Sequence, residues 1–172
     1  MPGRLAIVAA VRAVRAIVER ERPSWTFKAI SPTRGVDAYR EEVRTIARAR
    51  VLVSLFGSSL HNARFMPNGS ILVELHGALK QNWAWQNDHF YRDLCESELG
   101  VQWVGYAVPD FRPPVDRPWG DSYNTAHIPL PAFVRFFERV LRGELRELNE
   151  EYEEQMRANP GPNRSTPFWI NG

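Results

Sequence analysis

Phe56-Gly57-Ser58-Ser59-Leu60-His61-Asn62 places small residues where an apolar run hands over to a helix-like stretch. Backbone N–H groups and a helix dipole at such a junction can hold an anion, a diphosphate above all. A glycine-serine turn also serves as a plain helix cap. It is not a Walker loop, because no Gly-Lys-Ser/Thr follows, and it is not the dinucleotide fingerprint, whose second and third glycines are missing.

The remaining chemistry-bearing residues are scattered. His61 sits at the start of the helix-like stretch and reads equally as an exposed histidine. His76 and His89 flank Asn82-Trp83-Ala84-Trp85-Gln86-Asn87-Asp88, whose two tryptophans can stack on a base or sugar or pack a core or lid. His127 precedes Ile128-Pro129 and reads as structural or exposed. No His and carboxylate spacing resembles a metal site, and no Asp-x-Asp motif is present. Asp110, Asp116 and Asp121 are the carboxylates nearest to a general-base role, and none is assigned one. Cys95, the single cysteine, sits beside Glu96 in a helical setting and reads as a buried, inert thiol.

The elements that must position these groups alternate. Leu5 to Arg20 has helical spacing and ends before Pro23. Trp25-Thr26-Phe27-Lys28-Ala29-Ile30 alternates apolar and polar residues and predicts a short strand before Pro32. Asp37 is placed to cap a helix with Tyr39, Val43, Ile46 and Ala47 on one face. Val51 to Phe56 is a continuous apolar run entering the Gly57 loop, the pattern of a buried parallel strand. A short helix around Leu60 to Phe65 stops at Pro67 and Gly69, and Ile71 to Leu75 is a second buried strand. Asp88 to Leu99 predicts a helix stopped by Gly100, followed by a strand from Val101 to Tyr106. The proline-rich loop 107–122 follows, then a long helix over about 131–157 that Gly143 can break, then an irregular tail over 159–172 in which Phe168 and Trp169 can dock.

This order predicts an α/β fold: a Rossmann-like open, mainly parallel sheet with helices on both faces, one lobe over 1–158. Ligands of such sheets sit beyond the C-terminal strand ends, which again points to the Gly57 loop.

The stretch from Gly57 to Leu75 resembles the signature of family 61 glycosyltransferases. That signature runs roughly His-Gly-Ala-Gly-Leu-Thr-Asn, then Phe-x-Pro-x-Gly, then an apolar strand ending in Glu. Gly57, Leu60, Asn62, Phe65, Pro67, Gly69 and Glu74 fall on matching positions. The resemblance covers about Asp37 to Tyr106 and extends further only in the arrangement of elements. It implies an inverting transfer of a sugar from a nucleotide sugar, often UDP-linked, to a glycan or glycoprotein hydroxyl, within two facing Rossmann-like lobes and usually without a bound metal.

By that resemblance this chain is the C-terminal, nucleotide-binding lobe of a B-type enzyme. Gly57, Ser58, Ser59 and Leu60 would meet the diphosphate and Asn62 would brace the loop. Glu74, read as lying at a strand end, would accept from nucleotide hydroxyls; a helix cap or an arginine pair would occupy it equally. Phe56 stands where the family has His, and a phenyl ring neither donates to a phosphate nor takes a proton. Ser59 replaces a glycine, which matters if the backbone there needs positive φ.

The chain has 172 residues, 44% hydrophobic and 24% charged, which excludes collagen-like and wholly disordered classes. Two lobes need about twice this length, so a separate N-terminal lobe is an expected partner and little turnover is expected from the chain alone. Lys plus Arg is 22 against Asp plus Glu 20, no footprint for nucleic acid. No apolar run approaches the roughly 20 residues of a membrane span, and no signal peptide is read at the start. The family resemblance allows a secretory setting without choosing one. The competing reading is a non-catalytic α/β binding or scaffolding domain derived from a glycosyltransferase, which Phe56 favours. Its partner contact would be the acidic helix from Glu144 to Glu154.

Overall fold

A computed structural model describes residues 2–30, 35–55, 57–77, 88–108, 110–111 and 126–158. Helix α1 spans Pro2–Glu21 and α2 spans Val36–Ile46. Strand β1, Val51–Leu55, is followed by a 3-10 helix over Ser58–Phe65 and by β2, Ile71–Gly77. Helix α3, Asp88–Asp93, continues as a wider π turn over Leu94–Leu99 and leads to β3, Gln102–Val108. Two-residue strands β4, Asp110–Phe111, and β5, Ala126–His127, precede α4, Leu130–Arg142, and α5, Leu145–Ala158.

Strands β1, β2 and β3 form a parallel open sheet in that order, with Val51 opposite Ile71 and Ile71 opposite Gln102. The fold class is therefore α/β, compatible with a Rossmann-like plan. Consecutive parallel strands joined by right-handed crossovers put both connections on one face. Accordingly, Leu60 and Ala63 of the first connection and Tyr91 and Cys95 of the second share a core with Leu72 and Trp103. The opposite face carries Val73, Leu75, Val104 and Val108 against α1 and the phenylalanines of α4.

Helix α5 belongs to both layers. Leu148 packs in the α1–α4 core, whereas Tyr152 and Met156 pack in the other. The helix thus wraps the outer edge of β3. There the Asn149 amide donates to Trp103 O at 2.9 Å and accepts from Gly105 N at 3.2 Å. One side-chain amide so occupies the backbone groups that a further strand would otherwise bond.

Several elements differ from expectation. The long helix over 131–157 is two helices. Gly143, at φ 86°, donates to Val140 O at 3.0 Å while Glu144 N donates to Arg139 O at 3.2 Å, which satisfies the last carbonyls of α4 and ends it. Trp25 to Ile30 forms no strand. Trp25 N turns back to Arg22 O at 2.8 Å, and the stretch is held by side chains instead. Trp25 and Phe27 pack on the α1–α4 core, and Lys28 Nζ reaches Glu41 at 3.1 Å and Thr45 at 2.8 Å. Gly35 rather than Asp37 occupies the cap of α2; Asp37 lies in the first turn, where Arg40 meets it at 3.4 Å. β3 absorbs residues 107 and 108 of the proline-rich loop. The rest of that loop apart from Asp110 and Phe111, the Trp83–Trp85 stretch and the tail 159–172 lie outside the described residues.

Candidate functional site

β1 ends at Leu55 and the chain turns at Gly57, with φ 149° and ψ −176°. A Cβ built there meets nothing within 4 Å, so it is the positive φ and not crowding that calls for glycine. The Gly57 carbonyl is anchored twice, accepting from Leu60 N at 3.0 Å and from the Tyr91 hydroxyl of α3 at 3.1 Å. The His61 ring stands edge-on to Tyr91 at 5.5 Å. The 3-10 helix starts at Ser58, and Leu60 N makes its first i to i−3 bond. The N–H groups of Ser58 and Ser59 therefore head the helix without an intrahelical acceptor. They lie at the C-terminal end of a parallel strand, where the topology rule places a ligand.

The other site candidates fall elsewhere. Leu60 is fully buried, so its side chain serves the core and only its backbone belongs to the turn. Asn62 donates from Nδ2 to Glu42 at 2.9 Å and thereby ties the 3-10 helix to α2. Glu74 is not at a strand end. β2 continues to Gly77, and Glu74 lies mid-strand opposite Ser54 and Gly105. Its side chain is 0% exposed and accepts from Trp103 Nε1 at 2.7 Å. A nucleotide hydroxyl would have to displace the indole to reach that oxygen.

Around Glu74 the core is unusually polar. His76 is buried two residues along the same strand, edge-on to Tyr152 at 6.2 Å, and Tyr152 stands edge-on to Trp103 at 5.4 Å. Burial, with smaller contributions from Glu74 and Glu96, pushes the Cys95 thiol up to about 12, so no thiolate forms near neutral pH. Arg92 lies over the Trp103 ring at 5.7 Å and bonds Glu153. The Glu153 bond raises the guanidinium pKa further.

Residue type marks neither Tyr91 nor Trp103 as functional: Tyr91 enters only as a loose flanking match to the family signature, and its four-residue spacing from Cys95 puts both on one buried helical face. Among the described residues no cluster of three or more His, Cys, Asp or Glu side chains is placed to hold a metal, and no helix is long and apolar enough to cross a membrane. Phe56, Asp116 and Asp121 lie outside the described residues, as do the side chains of Ser58, Ser59, His89, Asp110 and His127. No protein-family model matches the chain, and no curated protein matches it.

Proposed function

We propose that this chain is the nucleotide-sugar-binding lobe of a glycosyltransferase similar to family 61, with the Gly57 turn as the seat of the donor diphosphate. The observation that carries this reading is the turn itself. A positive-φ glycine at the C-terminal end of β1 delivers the Ser58 and Ser59 N–H groups to one place, and Tyr91 fixes it from α3. In an inverting transfer the acceptor hydroxyl oxygen bonds the anomeric carbon as the bond to the diphosphate breaks. N–H donors at the diphosphate stabilise the charge that develops there. The acceptor, a glycan or glycoprotein hydroxyl, and the base that takes its proton belong to a facing lobe.

Titration with UDP and UDP-sugars, followed by amide NMR, tests this. Shifts concentrated at Gly57 to Asn62 are expected, together with at least about tenfold weaker binding in Gly57→Val, the size of one lost charge-assisted contact. Absence of shifts with both UDP- and GDP-sugars would sink the nucleotide reading. The non-catalytic scaffolding alternative draws on the enclosure of Glu74 under Trp103, which removes a candidate ligand group from the surface. A chain that melts cooperatively and binds neither nucleotide sugar is the outcome that reading expects.

A further inference from the structure

Two aromatic side chains, Trp25 and Phe27, lie in the stretch between α1 and α2, and guanidiniums cover them. Arg15 stands over Phe27 at 5.3 Å; Arg50 and Arg22 stand over Trp25 at 5.6 and 6.0 Å. Many other arginines hold carboxylates: Arg20 meets Glu138, Arg92 meets Glu153, and Arg139 meets Glu144 and Glu151. At this corner, among the described residues, no carboxylate pairs with Arg15, Arg22 or Arg50. Of the nearby acids in sequence, Glu21 is engaged with Arg20 and Glu41 with Lys28, while Glu19, four residues after Arg15 on α1, is exposed and lies outside ion-pair distance of Arg15.

Arg22 is committed to the carbonyls of Glu21 and Leu141. Arg15 and Arg50 are exposed, and so are Arg12, one turn before Arg15, and Arg48, two residues before Arg50. The corner thus carries a net positive charge, the exposed Arg12, Arg15, Arg48 and Arg50 against Glu19, on a chain of nearly balanced total charge. A guanidinium is a planar fork of N–H donors that receives a carboxylate through two parallel bonds, and a ring face within about 6 Å adds a cation–π attraction to its position.

We propose that this corner binds an acidic polypeptide segment, whose carboxylates are received by the guanidinium forks of Arg15 and Arg50 over Phe27 and Trp25. The two rings stand two residues apart, at most about 7 Å along the chain, which is also the spacing of alternate side chains on an extended peptide. A single-stranded nucleic acid fits less well. Trp25 carries two guanidiniums and Phe27 is half-buried, so bases find no open ring to stack on. The site is separate from the Gly57 turn, because Arg50 precedes β1 and Gly57 follows it, with the five-residue strand, about 17 Å long, between them.

A fluorescently labelled deca-glutamate peptide, titrated into the full chain at low and at physiological salt, tests the assignment. Salt-sensitive binding is expected, weakened about tenfold or more in R15Q/R50Q. R15K/R50K keeps both charges without the forks and is expected to lose part of that affinity. UDP-induced shifts at the Gly57 turn should persist in both variants, so failure here and failure of the nucleotide reading are distinguishable. No peptide binding by the native chain, equal affinity in native and R15Q/R50Q proteins, full affinity in R15K/R50K, or preference for a single-stranded oligonucleotide at equal salt would each overturn it.

Discussion

The indole N–H of Trp103 donates to the carboxylate of Glu74 at 2.7 Å across the β2–β3 pair, with both side chains buried. The acidic residue that the family resemblance marks for a ligand is therefore part of what holds β2 and β3 together. A buried carboxylate costs free energy unless it is hydrogen-bonded, and the indole supplies such a bond.

Trp103→Phe should lower stability by about 2 kcal/mol or more, from the lost bond and the lost volume together. Glu74→Gln keeps an acceptor oxygen and should cost less, while leaving UDP affinity within about twofold, because its oxygen is enclosed. Urea unfolding of both variants, with UDP titration of the second, checks this. A Trp103→Phe protein as stable as the native chain would remove the indole bond from the account.

Asn149 closes the β3 edge through two bonds, each typically worth about 1 kcal/mol. Asn149→Leu should lose both, and Asn149→Asp only the one to Trp103 O, since a carboxylate cannot donate. Amide hydrogen exchange at Gly105 separates the two: faster exchange is expected in the leucine variant and little change in the aspartate variant. Equal exchange in both would show that α5 packing, not Asn149, seals the edge.

Gly105 has no room for a side chain. A Cβ there would lie 2.6 Å from Trp103 Cη2 and 2.9 Å from Tyr152 Cδ2. Gly105→Ala must displace buried rings and is expected to cost about 1–3 kcal/mol. The expected thermal shift is downward by several degrees. An unchanged melting temperature would mean that the rings yield without cost.

The α4–α5 elbow should be acid-sensitive. Bonds from Arg142 and Arg139 hold the Glu144 carboxyl below the ordinary carboxylate range. Its contribution is complete above the pKa it has in the unfolded chain and is lost as pH falls through the lower folded value. Native protein should therefore exceed Glu144→Gln in stability at about pH 6, with the gap closing below about pH 4. Urea midpoints across that range measure it, and a gap independent of pH would exclude the carboxylate.

Much of the plan was legible in the chain because local signals are sufficient for it. Val51 to Leu55, Ile71 to Leu75 and Val101 to Tyr106 are apolar runs, and all three supply strands of the parallel sheet. Gly57 stood at a strand-to-helix handover followed by Ser58 and Ser59, and its positive φ is the backbone state such a turn uses. The alternation at Trp25 to Ile30 misled, since period-2 patterning reports which side chains can be buried and not whether a strand edge is available to pair with.

The sequence by itself determined the three parallel strands and the helical segments between them, the stop at Gly100 and the turn after β1, all set by periodicity and backbone sterics within a few residues. Only the tertiary structure decided that Asn149 would stand in for a fourth strand, that Trp103 would reach Glu74 from 29 positions away, and that Arg15 and Arg50 would meet neighbouring rings rather than acids. Polar groups choose partners by distance in space, and that distance exists only after the strands have been set side by side.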